Sequence, residues 1–304
     1  MKQGAVVTLG VFDGVHIGHR AVLGRVAELA HRRSATTVAF TFDRAPGAVL
    51  SDSPEHPRLT LLGEKVGLLR TAGAGEVRVL RFTAGLASKS AERFLADHLL
   101  ADYDLKGLVV GYDFALGHGR EGTVSVLRAL GGRHGFPVEA VAAVERGGQA
   151  VSSTRIRGVL RNGEAREAAR LLGRPYRLGG RVVRGEARGR QLGFPTANLD
   201  VPPGKLRPGS GVYAVRVHGA GEEPRPGVVN IGRRPTFPEA GNTVEVHLLD
   251  WEGNLLGRDL CLDLVERLRA EQKFNSSKDL QDQIRADVET ARRLLSRASA
   301  ELKG

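Results

Sequence analysis

At 304 residues, 41% hydrophobic and 26% charged, the chain has the composition of a folded, water-facing protein and the length for two domains. No apolar run approaches the ~18 residues that span a bilayer, no secretory leader pattern opens the chain, and the lone Cys261 excludes an intrachain disulfide or a cysteine metal cluster, so a cytoplasmic location is expected. The formal charge of +11 is spread, +7 over residues 1–175 and +4 beyond, with no block of like charge and 5% aromatics; this suits steering of ATP and phosphorylated substrates better than binding of nucleic acid.

Ala5–Leu9 is a continuous apolar run of the kind buried in a parallel sheet. A glycine-rich turn follows, then Val22, Leu23, Val26, Leu29 and Ala30 at helical spacing, then a second strand over Thr36–Phe40. Further strands are expected at Val77–Phe82, Leu108–Gly111 and Val138–Val144, with helices over Glu64–Ala72, Ala91–Leu100 and Val124–His134. This alternation predicts a Rossmann-like, doubly wound α/β sheet that takes its ligands at the carboxyl ends of the strands.

Ser153–Leu160 and Ala165–Leu172 read as two short helices stopped by Gly173 and Pro175. A domain boundary is set there, giving 1–175 and 176–304. Beyond it, strand-like runs follow one another without helices: Gly179–Val183, Gly211–Val217, Gly227–Ile231, Thr243–Leu249 and Leu260–Leu264, with Asp250–Asn254 expected as a hairpin connection. The pattern predicts an antiparallel barrel or sandwich. Ser276 or Ser277 caps a last helix whose apolar residues include Leu280, Ile284, Val288, Ala291 and Leu295.

The densest stretch, Gly10-Val11-Phe12-Asp13-Gly14-Val15-His16-Ile17-Gly18-His19, lies between the first strand and the first helix. Helix N-termini and free backbone N–H groups stabilise phosphate charge. Two imidazoles separated by a glycine that admits close approach suit a triphosphate, whose α-phosphorus reacts largely through positioning and electrostatic stabilisation; a metal pair or two surface histidines are the other readings. Ser152-Ser153-Thr154-Arg155-Ile156-Arg157, also ahead of a helix, combines hydroxyls, helix N–H groups and a guanidinium into an anion site, or else is a capping-box variant.

Together, HxGH and SSTxxR resemble the nucleotidyltransferase superfamily, and Gly10–His19 resembles its FAD-synthetase branch. The resemblance implies attack of the FMN phosphate on the α-phosphate of ATP, loss of pyrophosphate and no covalent enzyme intermediate. It implies Gly10, Phe12, Gly14 and the catalytic pair His16 and His19 around the triphosphate, with Ser153, Thr154 and Arg157 on its opposite side. Val109–Phe114 is similar to the family's strand-end motif, which implies Gly111 and Asp113 near nucleotide and flavin. Gly117–Gly122 also satisfies GxGxxG, but Tyr112–Leu116 separate it from the preceding strand, against a dinucleotide-binding role; it is expected to line the cleft or to be a turn. Two departures stand out: Arg44-Ala45-Pro46 where the family has Pro-His-Pro, and Thr123 where it has an acid.

Gly189-Arg190-Gln191-Leu192-Gly193-Phe194-Pro195-Thr196-Ala197-Asn198-Leu199 has no regular period and is expected as a shaped loop. The Thr196 hydroxyl and Asn198 amide oxygen are hard donors suited to Mg²⁺, which takes few protein ligands beside substrate phosphates. Glu245, in Thr243-Val244-Glu245-Val246-His247, is either an outward-facing acid or a general base for a hydroxyl attacking the γ-phosphate of ATP. With Gly211-Val212-Tyr213, Val229-Asn230-Ile231-Gly232, Arg234-Pro235-Thr236 and Arg269–Phe274 in the same order, residues 181–304 resemble the riboflavin kinases. That resemblance implies a six-stranded barrel followed by a helix, Thr196 and Asn198 near Mg²⁺, Glu245 as base, and Gly189, Gly193, Pro195 and Arg269 in the ATP and flavin loops. The whole chain is similar to the bifunctional riboflavin kinase/FAD synthetase family, with ATP, riboflavin and FMN as substrates. A kinase with an impaired first half (motivated by Arg44-Ala45), an HxGH enzyme for another phosphorylated acceptor, and a basic nucleic-acid binder are the alternatives. No membrane partner is expected, and no feature indicates an oligomeric state.

Overall fold

The run Ala5–Leu9 is the buried core of β1 (Gln3–Leu9), followed in chain order by β2 (Thr36–Phe42), β3 (Glu76–Leu80), β4 (Tyr103–Gly111), a minute pair β5 (Ala115–Leu116) and β6 (Gly122–Thr123), β7 (Val138–Val141), and a second minute pair β8 (Glu145–Arg146) and β9 (Gln149–Ala150). The computed structural model describes residues 2–45, 47, 56–185, 189, 192–233 and 242–300. They divide into two units, 1–153 and 154–304. In the first, the long strands form a parallel sheet in the order β3-β2-β1-β4-β7. Strand order reverses between β1 and β4, which opens a crevice at their carboxyl ends.

Because successive side chains of a strand point to opposite faces, β1 serves two layers. Val6 packs with Val22, Val26, Leu29 and Ala30 of helix Ile17–Arg32, while Ala5, Val7 and Leu9 join Leu95, Leu99, Leu127 and Leu130 on the other face. Each of these valines and leucines contributes roughly 1.5–3 kcal/mol on burial. Helix and sheet approach so closely at Gly107 that a Cβ there would lie 2.6 Å from Leu29 Cδ2. The helix expected over Ala91–Leu100 is α-helical only over Ala91–Phe94 and continues as a π-helix over Leu95–Leu100.

Helices Ser153–Arg161 and Ala165–Leu172 bury Ile156, Leu160, Ala168, Leu171 and Leu172 at helical spacing. After them come β10 (Tyr176–Val183), β11 (Ala197–Asp200), β12 (Gly211–His218), β13 (Arg225–Arg233), β14 (Asn242–Leu248) and β15 (Asp259–Arg269), which close an antiparallel barrel in the order β10-β11-β14-β13-β12-β15. Leu178, Leu199, Val215, Val229, Val246 and Leu262 are among its buried side chains. A last helix, Ser277–Ala300, is opened by the Ser276 hydroxyl accepting from Asp279 N (3.1 Å). Its Ala291 and Leu295 pack with Val212, Ala214, Val228 and Leu249.

The barrel departs from two of these expectations. Asp250–Asn254 is not a hairpin connection: β14 pairs with β11 and β13, whereas β15 pairs with β10 and β12. Turn-forming residues mark where the chain bends, and barrel closure decides which strand it then joins. The stretch expected as wholly irregular contains β11, because Leu199 packs inward and Ala197 and Asn198 pair with β14. Pro46, Arg190, Gln191 and Arg234-Pro235-Thr236 lie outside the described residues.

Candidate active sites

In the first unit, Gly10 N extends the sheet by donating to Phe40 O (3.1 Å), and the chain then turns sharply. Phe12 and Val15 have φ of 51° and 40°, and Gly14 has 83°. A β-branched residue at positive φ persists only where its surroundings hold it. Asp13 supplies that hold: its buried carboxylate accepts from Leu59 N (3.2 Å), Thr60 N (3.1 Å) and Thr60 Oγ1 (3.3 Å), while Gly14 N donates to Thr60 Oγ1 (3.0 Å). Ser153 Oγ adds a bond to Asp13 O (2.8 Å).

The strained loop delivers His16 as the N-cap of helix Ile17–Arg32, its Nδ1 accepting from His19 N (3.4 Å). That bond leaves Nε2 as the proton-bearing nitrogen of the neutral ring. His16 and His19 stack with centroids 3.6 Å apart and planes at 20°, and the Phe12 ring meets His19 edge-on at 5.2 Å. Gly18 admits the stack, since a Cβ there would lie 3.2 Å from Nδ1 and Cε1 of His16. His19 Nδ1 is buried without a hydrogen-bond partner, an arrangement that costs about 1–3 kcal/mol until a ligand meets it. Burial, then His16, then Lys65 hold the His19 imidazole well below its ordinary pKa. The site therefore presents a neutral ring with an unspent polar atom at a helix N-terminus.

Gly111 ends β4, the strand beside β1 at the point of reversal, and Asp113 lies just beyond it. Asp113 is exposed, with its backbone carbonyl accepting from Arg120 (3.0 Å). Thr154 and Arg157 lie one turn apart on helix Ser153–Arg161, joined by a 3.5 Å bond. The Gly117–Gly122 segment packs on the start of helix Ala91–Phe94: a Cβ on Gly117 would lie 2.6 Å from Ala91 N, and Glu121 Oε1 accepts from that same N–H at 2.9 Å. Gly117 and Gly122 serve close packing, Gly119 takes a φ of 60°, and Glu121 caps a helix.

On the barrel, Thr196 directly precedes β11, and Asn198 on β11 is paired with Glu245 on β14. The β14 side chains Val244, Val246 and Leu248 are buried, so the alternating Thr243, Glu245 and His247 face outward. A Cβ on Gly185 would collide with the Asn198 amide, and one on Gly189 would lie 3.0 Å from Thr196 Oγ1. Gly189 O accepts from Leu192 N (3.2 Å) and Phe194 N (2.8 Å), Gly193 has φ 82°, and Pro195 O meets His247 Nδ1 at 2.8 Å. These contacts fold the segment into a cradle around two oxygen donors. A cavity of about 460 Å³ adjoins it, lined by Thr196 and Asn198 together with Val182, Val246, Trp251 and Leu255.

Arg269 does not line that cavity. Its Nε lies 3.1 and 3.0 Å from the two oxygens of buried Asp287, and its guanidinium covers the Phe274 ring at 5.6 Å. Residues that sequence reasoning did not single out include Asp13 and Asn230, both inside quoted motifs, and Lys65, which no local pattern marks.

Residues 1–155 match the family model described as FAD synthetase, and residues 172–295 match that described as riboflavin kinase. The bifunctional riboflavin kinase/FMN adenylyltransferase of Escherichia coli (strain K12) is 40% identical over 291 residues, covering 96% of this chain and 93% of that protein. The protein of the same description from Bacillus subtilis (strain 168) is 35% identical over 297 residues, with 96% and 93% covered. A solved structure described as a macrolide-efflux protein from Streptococcus pneumoniae superposes with a TM-score of 0.87 at 31% identity, covering 96% of this chain and 95% of that one. Among the described residues, no helix is long and apolar enough to cross a membrane.

Proposed function

The chain belongs to the family of bifunctional riboflavin kinases/FMN adenylyltransferases, and we propose that its two reactions run at the two sites just described. It phosphorylates riboflavin to FMN and transfers an adenylyl group to FMN to make FAD, using ATP for both. The family models leave residues 156–171 unmatched, and the functional division runs as 1–175 for adenylyl transfer and 176–304 for the kinase.

For adenylyl transfer, the buried, unpartnered Nδ1 of His19 beside stacked His16 is the observation that carries the assignment. The two rings and the N–H groups at the start of helix Ile17–Arg32 bind the triphosphate and stabilise charge as the FMN phosphate attacks the α-phosphorus and pyrophosphate leaves. Gly10, Phe12 and Gly14 shape the loop, Ser153, Thr154 and Arg157 bind phosphate, and Gly111 and Asp113 border nucleotide and flavin.

For the kinase, Glu245 accepts the proton of the ribityl hydroxyl as the hydroxyl oxygen attacks the γ-phosphorus of ATP and ADP leaves. Thr196 and Asn198 would hold Mg²⁺; their fit rests on two hard oxygen donors in a cradle that a Cβ on Gly185 or Gly189 would fill. Mg²⁺ held there would supply charge that offsets the negative charge of the substrate phosphates. The adjoining cavity takes the nucleoside of ATP against Trp251 and the aliphatic wall, with Gly189, Gly193 and Pro195 fixing the loop. Arg269 acts by anchoring the segment that leads into the last helix.

A chromatographic time course with riboflavin, Mg²⁺ and excess ATP tests the scheme. FMN that rises and then gives way to FAD supports both sites. FMN that accumulates without FAD removes the first assignment and leaves the second.

A further inference from the structure

Lys65, on helix Leu62–Thr71, is 6% exposed. Its ammonium donates to Phe42 O (2.7 Å), at the end of β2, and to Val11 O (3.1 Å), in the loop that leads to the histidines. Thr41 Oγ1 donates to the same Val11 carbonyl at 3.1 Å. A buried lysine is costly unless hydrogen-bonded, and this one spends its donors on a loop whose Phe12 and Val15 sit at positive φ. Four charged or titratable groups face it: Asp13 from the loop, Asp43 after β2, Arg58 ahead of its helix, and His19 on helix Ile17–Arg32. Burial pushes Lys65 down to about 8, against the pull of Asp13 and Asp43.

Resting on the reading of His19 as a triphosphate-binding imidazole, we propose that Lys65 is a positioning residue for adenylyl transfer, pinning the Val11 carbonyl and presenting a positive charge to His19. Burial and His16 already disfavour protonation of the ring, and the Lys65 charge adds to them, so the imidazole enters the reaction neutral. The carbonyl contact holds the turn that sets the ring's place.

The test measures FAD formation from FMN and Mg-ATP by the full chain over about pH 5 to 9, with FMN formation from riboflavin recorded in the same preparations. Lys65→Gln keeps a donor but removes the charge. It should lower the FAD rate at neutral pH roughly tenfold and move the acid limb of the pH profile up by about one unit, while Lys65→Arg keeps the limb in place and FMN formation is unaltered. A Lys65→Gln enzyme whose acid limb stays where it was overturns the proposal, because a purely structural lysine would change rate or stability alone. If that variant does not fold, the unsubstituted protein still decides. The ring-proton resonance of His19 should show an inflection near pH 8 as Lys65 loses its proton, and its absence overturns the proposal. Persistence of FAD formation in His19→Ala would instead overturn the reading of His19 itself.

Discussion

Asn198 and Glu245 stand directly opposite one another on β11 and β14, and on its other flank Glu245 is paired with Asn230 of β13. A carboxylate on the outer face of a barrel is ordinarily a solvated group, but this one lies in a row between two amides, one of them from the Thr196–Asn198 cradle. Replacing it by Gln preserves shape and removes basicity. Glu245→Gln should lower FMN formation by about 10²–10⁴-fold while FAD formation from supplied FMN continues, as measured by chromatography of the two flavins.

The opposite separation is expected in the first unit. Gly18→Ala would push a methyl against the His16 ring, 3.2 Å from the would-be Cβ, and disturb the stack on His19. FAD formation should fall at least tenfold, in line with the sensitivity of positioned groups to small displacements, and riboflavin phosphorylation should be retained. Equal damage to both reactions in a folded variant would contradict two separate sites.

Gly185 offers a test of the Mg²⁺ cradle that leaves both proposed ligands in place. Gly185→Ala would displace the Asn198 amide. The concentration of Mg²⁺ required for half-maximal FMN formation should rise several-fold, with the Mg²⁺ dependence of FAD formation as the internal reference.

Buried Asp287 pairs with the partly exposed Arg269, supplemented by Gln283 Nε2 donating to Asp287 Oδ1 at 2.9 Å. Asp287→Ala removes the carboxylate from a partly exposed guanidinium, a change that costs about 1–3 kcal/mol and lowers the melting temperature by roughly 5 °C. Calorimetry checks it. Little change in melting would mean that Arg269 finds another partner or water.

Acid should weaken the first unit through His19. Its folded pKa lies well below the 6.5 of the free side chain, so below pH 6.5 the unfolded chain takes up a proton that the folded unit resists. Stability attributable to this ring is complete above pH 6.5 and declines as pH falls toward the folded pKa. Denaturant unfolding at neutral and mildly acid pH should show that decline, and His19→Asn should reduce it.

Much of this was legible beforehand because periodicity and motif agreed. Val22, Val26, Leu29 and Ala30 announced a helix that exists, and Val244, Glu245 and Val246 alternated as strand residues do. What escaped depended on long-range pairing. Asp250–Asn254 reads as a tight reversal, yet closure separates β14 from β15 by the strands between them. The strand at Ala197–Asp200 was hidden by flanking glycine and proline, and only pairing with β14 and β10 makes it regular. Lys65 went unmarked within the helix expected over Glu64–Ala72, because nothing local reveals that the helix turns it toward the ends of β1 and β2.

The alternation along β14 has an evolutionary corollary. A one-residue slip of that strand would turn Glu245 inward and push Val244 and Val246 out. Substitutions that favoured such a slip would be removed for misfolding before they could be tested for activity. The same hydrophobic pattern that folds the barrel thus proofreads its chemistry, and lineages that conserve the core inherit the aim of the carboxylate with it.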